Sequence, residues 1–238
     1  MGSYLNPGST LFRGSLRSKI YVDKSGLIEK INELICTEQK YVCVSRPRRF
    51  GKTLNMSMVE TFFSNTEKEQ AKLFEDLEIW KDKRYQQLQG SYPVLFLSFA
   101  TVKESDYEKT RRKICQLITN LYMKYHFLIE EDFLKDKERD FYESVSVDMD
   151  DNAATMALYQ LSDYLSRYYG KKVLILLDEY DTPMQEAYIH GYWEEFTGFM
   201  RSLFNATFKT NPYLERAVMT GITRVSKESL FSDLNNLR

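Results

Sequence analysis

Residues 41–54, Tyr-Val-Cys-Val-Ser-Arg-Pro-Arg-Arg-Phe-Gly-Lys-Thr-Leu, constrain the chain more than any other stretch. The run 41–44 is short, apolar and partly β-branched, which reads as a buried strand. Pro47 and Gly51 mark a turn, and residues 54–59 open a helix. Strand, loop, Gly-Lys-Thr and helix, in that order, form the setting a phosphate-binding loop needs. Amides at the helix N-terminus point at the anion there, and the helix dipole favours negative charge. Lys52 would reach the β/γ-phosphate oxygens as a compact cation, and the Thr53 hydroxyl would ligate Mg2+. Such loops usually carry glycine at the position held here by Arg46. A side chain is tolerated there if residue 46 keeps negative φ, and Pro47 biases it toward extended geometry. Arg46, Arg48 and Arg49 set cations beside the expected triphosphate. At least one is expected to face it, although a surface salt bridge is the plainer role for each alone. Pro47, Phe50, Gly51 and Leu54 complete the candidate nucleotide-holding loop.

Gly-Lys-[Ser/Thr] is weak by itself, since roughly one chain in ten of this length would contain it by chance. A second site is therefore required. Residues 173–179, Val-Leu-Ile-Leu-Leu-Asp-Glu, form an unbroken apolar run ending in two carboxylates. Strands buried on both faces of a parallel sheet look like this, and open α/β sheets bind ligands at the carboxyl ends of their strands. Asp178 is expected to hold Mg2+ through its water shell, and Glu179 to orient or deprotonate the attacking water. The competing explanation is a helix start, because Asp-Glu-Tyr-Asp-Thr-Pro also makes a good turn and cap.

Residues 21–28 (Tyr-Val-Asp-Lys-Ser-Gly-Leu-Ile), 46–53 and 177–181 (Leu-Asp-Glu-Tyr-Asp) together resemble the bacterial AAA-ATPase-like family. The Arg-Pro-Arg-Arg-Phe run, with its missing first glycine, looks like that family's own form of the loop. The resemblance covers most of the chain. It implies an ASCE-type P-loop ATPase using ATP and Mg2+. In such folds the strand after the acidic pair lies between it and the phosphate-loop strand, and a polar residue at its tip senses the γ-phosphate. Thr220 and Thr223 are candidates for that sensor, and Arg224 for an arginine acting on the phosphates. Tyr21 or Asp23 could touch adenine, although packing and capping explain both. Family members commonly continue into a C-terminal nuclease-like domain of the PD-(D/E)xK type. No trace of it is visible here, so the chain is expected to be a fragment of a longer protein.

Bulk properties agree with a globular module. The 238 residues can bury a proper core. Lys and Arg total 33 against 34 Asp and Glu, so no global charge draws the chain to nucleic acid or anionic membrane. Cys36, Cys43 and Cys115 show no paired or metal-ligand spacing, which points to a reducing cytoplasm. No apolar run approaches membrane-spanning length, and none reads as a signal peptide. His126 and His190 read as structural.

Along the rest of the chain, residues 1–22 read as an irregular arm ending in an extended piece. Asp23 or Ser25 is expected to cap a helix with Leu27, Ile28, Ile31, Leu34 and Ile35 on one stripe. Residues 93–99 form a second strand. A strongly amphipathic helix covers 105–127, with Arg111, Arg112 and Lys113 off its apolar stripe, which reads as a solvated face ahead of a surface for a partner or nucleic acid. Residues 130–151 read as an acidic exposed connection. Helices follow over about 153–169 and 192–208, another begins at Thr182-Pro183, and 217–222 is a fourth strand. A further helix is expected to begin near Lys227. The expected fold is a three-layer α/β/α P-loop architecture spanning 1–238, with an N-terminal arm and helix over 1–40 and a helical insertion over 103–172. The mostly parallel sheet is expected in the order 94–99, 173–178, 217–222, 41–45. The function expected is Mg-dependent ATP hydrolysis that drives or gates a partner. The alternative is a nucleotide-gated interaction module with negligible turnover. Self-association, a C-terminal effector domain and nucleic acid are possible partners, and a membrane is not. A GTPase is disfavoured by the lack of an Asn-Lys-x-Asp segment, and a small-molecule kinase by the Asp178–Glu179 pair.

Overall fold

The computed structural model describes residues 8–35, 37 and 39–222. Its helices and strands follow in chain order as α1 (Ser9–Leu16), α2 (Gly26–Leu34), β1 (Tyr41–Ser45) and α3 (Lys52–Phe63). Two 3-10 segments (Asn65–Phe74, Glu78–Lys81), α4 (Lys83–Leu88), β2 (Val94–Ser98) and α5 (Tyr107–Lys124) come next. Then come α6 (Phe127–Glu130), α7 (Asp136–Ser144), α8 (Asp151–Tyr169), β3 (Val173–Asp178), α9 (Thr182–His190), α10 (Trp193–Phe208) and β4 (Leu214–Gly221).

The four strands pair entirely in parallel, in the order β1-β4-β3-β2. That is the expected order, with β4 inserted between the strand carrying the phosphate loop and the strand carrying the acids. Alternate residues of each strand face opposite layers. Leu95, Leu97, Ile175, Leu177, Ala217 and Met219 meet the layer built by α5 to α10. Val94, Phe96, Leu174, Leu176 and Val218 meet the layer built by α1, α2, α3 and the turns around residues 74–88. Apolar side chains on both faces explain the unbroken apolar run of β3, all of whose residues are buried.

Three expectations need correction. The arm over 1–22 contains α1, anchored by Phe12, which is fully buried and lies with its ring 5.1 Å from that of Phe74. Residues 130–151 are not an exposed connection, because they include α7 and bury Leu134, Tyr142, Val145 and Met149. The first hides Phe12 among small polar residues, and the second hides its anchors among charges. The solvated reading holds for Arg112 and in part for Lys113, which pair with Asp148 and Glu104. It does not hold for Arg111, which is largely buried, pairs with Asp151 and donates to the Met149 carbonyl. Among the described residues, no helix is long and apolar enough to cross a membrane.

Candidate functional site

Because every strand runs the same way, all four carboxyl ends lie along one edge of the sheet. The register sets Val44 beside Thr220, Ser45 beside Gly221, and Ser98 beside Asp178. Strands lie about 4.8 Å apart, so β1 and β3, with only β4 between them, end roughly 10 Å from each other. The loop after β1 and the acids after β3 thus leave the sheet on the same edge.

The loop starts with Arg46, whose N–H donates to the Gly221 carbonyl of β4 (3.2 Å). Arg46 is not among the residues at positive φ, as its replacement of glycine requires. The left-handed turns fall instead at Arg49 (φ 68°) and Gly51 (φ 74°). Gly51 is the N-cap residue of α3, and its carbonyl accepts from the Asn55 N–H at 2.9 Å. Lys52 opens the helix and is only 7% exposed. Its ammonium donates to the Arg46 and Pro47 carbonyls at 3.0 and 3.1 Å, so the loop curls around its own cation. An ammonium has three donors, and the third is available to an anion held against the loop. Thr53 follows on the first turn of α3, half-buried, with Leu54 beside it. Arg46, Pro47, Arg48, Arg49 and Phe50 all line the exposed side of the loop, Phe50 with 57% of its surface in solvent.

Asp178 ends β3 with no exposed surface. Its Oδ1 accepts from the Thr220 hydroxyl at 2.7 Å and its Oδ2 from the Ser98 hydroxyl at 3.1 Å. Three neighbouring strands therefore converge on one carboxylate. Glu179 follows with φ at 50°, a left-handed turn rare for a non-glycine residue. Its N–H donates to the Thr220 Oγ1 at 3.3 Å, and its Oε2 accepts from the Thr182 hydroxyl at 3.2 Å. The Thr220 hydroxyl thereby donates to one acid and accepts from the backbone of the next. Thr220 also takes the Tyr180 N–H on its carbonyl (3.1 Å). Thr223 and Arg224 lie outside the described residues.

The sequence profile of the AAA-ATPase-like family, described as a predicted AAA-ATPase, matches residues 14–231. The chain belongs to the AAA-ATPase-like family. An uncharacterized protein in the vnfD 5′ region of Azotobacter chroococcum mcd 1 is 28% identical over 221 residues, which cover 91% of this chain and 36% of that protein. The chain thus spans about a third of that relative's length. No solved structure matches.

Within this AAA-ATPase-like chain, Lys52, Thr53, Asp178, Glu179 and Thr220 belong to one strand edge. Tyr21 is half-buried and packs on the core shared by α1 to α3. Burial and the nearby Asp23 charge push its phenol up to about 12. Asp23 takes the Ser25 and Glu78 N–H groups at 2.7 and 2.8 Å, and the Ser25 hydroxyl takes the Ile79 N–H at 3.2 Å. These side chains bolt α2 to the 3-10 turn rather than cap it, since the α2 N-terminus has no side-chain cap. Ser98 was not singled out by the sequence reading. Its signal was a polar residue closing an otherwise apolar strand.

Proposed function

We propose that this module binds Mg-ATP at the strand edge and hydrolyses it to ADP and phosphate. The supporting observation is that β4 joins both halves of the site. Its Gly221 carbonyl holds the first amide of the loop, and its Thr220 hydroxyl holds the buried acid of β3. Family membership supports nucleotide chemistry of this kind.

The donor set suits the ligand. Thr53 and Asp178 are hard oxygen donors of the type Mg2+ takes. Both Asp178 oxygens already accept one hydroxyl each, and each keeps a lone pair for a water of the metal's shell. Mg2+ bound there would neutralise charge building on the phosphate oxygens. Lys52 and the amides opening α3 grip the phosphates, and the arginines of the loop add positive potential. Glu179 takes a proton from the water whose oxygen bonds to the γ-phosphorus, and the bond to the ADP oxygen breaks as the new one forms. Thr182, donating to Glu179 Oε2, leaves Oε1 to accept that proton. Thr220 fixes the acid pair relative to β4.

Lys52→Ala is expected to abolish Mg-ATP binding, and Glu179→Gln to keep binding while turnover falls by at least ~100-fold. Binding is read by melting: ATP at about 100 times its dissociation constant stabilises the fold by about 2.7 kcal/mol. Parental turnover by Glu179→Gln would remove the proposed base. A parental protein that binds without turnover, alone and in its full-length context, would favour the nucleotide-gated interaction module instead.

A further inference from the structure

Asp181 stands next to the acidic pair, yet neither metal binding nor proton transfer uses it. It is 1% exposed and occupies the N-cap position of α9 without making a side-chain cap. Its carboxylate instead reaches across to the tip of β4, where Oδ2 accepts the Ile222 N–H at 2.9 Å, and it also accepts from the Gln185 side-chain amide at 3.1 Å. The approach is close enough that Gly221 has no room for a side chain. A Cβ there would lie 2.8 Å from Asp181 Oδ1 and 3.0 Å from a Tyr180 ring carbon. Glycine at 221 is thus explained by contact, with no left-handed φ involved.

On its other side the same tip holds the start of the phosphate loop. The Gly221 carbonyl accepts the Arg46 N–H, and the Ile222 carbonyl accepts the Ser45 hydroxyl at 2.8 Å. Residues 221 and 222 are therefore a bridge, with the turn carrying Glu179 on one side and the loop carrying Lys52 on the other.

We propose that Asp181 is a positioning residue: by clasping the tip of β4, it sets the phosphate loop and the Glu179 turn at a fixed separation. The catalytic part of this inference rests on the ATPase reading, whereas the clasp itself does not. Asp181→Ala removes the acceptor. Gly221→Ala keeps every hydrogen-bonding group and pushes one methyl against the Asp181 carboxylate and the Tyr180 ring.

Amide hydrogen exchange without nucleotide tests the clasp in the chain as it stands. Both variants are expected to lose about tenfold or more protection at Ile222 and at Arg46, which lies on the far side of β4 from Asp181, while β3 amides keep theirs. Unchanged protection at Arg46 in the variants would overturn the proposal, whatever the enzyme activity. Should Asp181→Ala fail to fold, Gly221→Ala decides alone. In turnover assays per folded molecule, the variants are expected to lower kcat about 10- to 100-fold with KM for ATP within about threefold. A purely structural role would lower the yield of folded protein and leave kcat per folded molecule unchanged, which would also overturn it. Absence of turnover in the parental protein would count against the ATPase reading and leave the exchange result to judge the clasp.

Discussion

Position 49 shows most plainly how the loop departs from its usual glycine-bearing form. Loss of glycine at 46 is absorbed without strain, but Arg49 adopts φ of 68°, where a side chain costs about 1–2 kcal/mol. Arg49→Gly relieves that strain and Arg49→Ala retains it, while both remove the same charge. Arg49→Gly is therefore expected to unfold at higher denaturant than Arg49→Ala, by about 1 kcal/mol, the reverse of their order at ordinary positions. Equal stabilities would mean that the loop relaxes out of the left-handed turn. Residue types marked Lys52, Thr53, Asp178 and Glu179 in the sequence, because their chemistry is tied to Gly-Lys-Thr and to an acid-ended apolar strand. The clasp of Asp181 on Ile222 was not legible. It depends on which strand neighbours which, and Asp181 in its local context reads as a helix cap.

Among the elements, the buried strands, the long helices, α2 and the start of α9 were legible, whereas α1, α4, α6 and α7 were not. The β3 run announces itself because both faces are apolar, and α8 ends at Gly170 in the left-handed conformation typical of helix ends. By contrast, α1 buries one side chain in eight residues. If it belongs to the core rather than to a loose arm, Phe12→Ala should cost about 3–5 kcal/mol in chemical denaturation. A cost under about 1 kcal/mol would return it to the arm. Helix α3, which carries Lys52, also carries the fully buried Glu60, paired with Lys124 of α5 at 3.4 Å. Burial pushes this carboxyl up, outweighing the attraction of Lys124. Its folded pKa lies above its unfolded one, so its contribution favours folding at low pH and is lost as pH rises through the folded value. The melting temperature of Glu60→Gln relative to the parent is therefore expected to climb from about pH 4 to pH 8. A difference that shrinks over that range would show the ion pair to dominate.

For the whole molecule, the order β1-β4-β3-β2 brings together two motifs that are far apart in sequence. The resemblance carried that order, since pattern alone identifies strands without saying which are neighbours. Helices cover both faces of the sheet, and the candidate groups gather at the strand ends. The aligned residues make up 36% of the relative from Azotobacter chroococcum. The most direct test is a crystal structure with Mg2+ and a non-hydrolysable ATP analogue. It is expected to show the metal about 2.1 Å from the Thr53 hydroxyl and joined to Asp178 through one water, with Lys52 on the phosphates. Nucleotide bound away from residues 46–53, or a metal with no link to Asp178, would contradict a shared site.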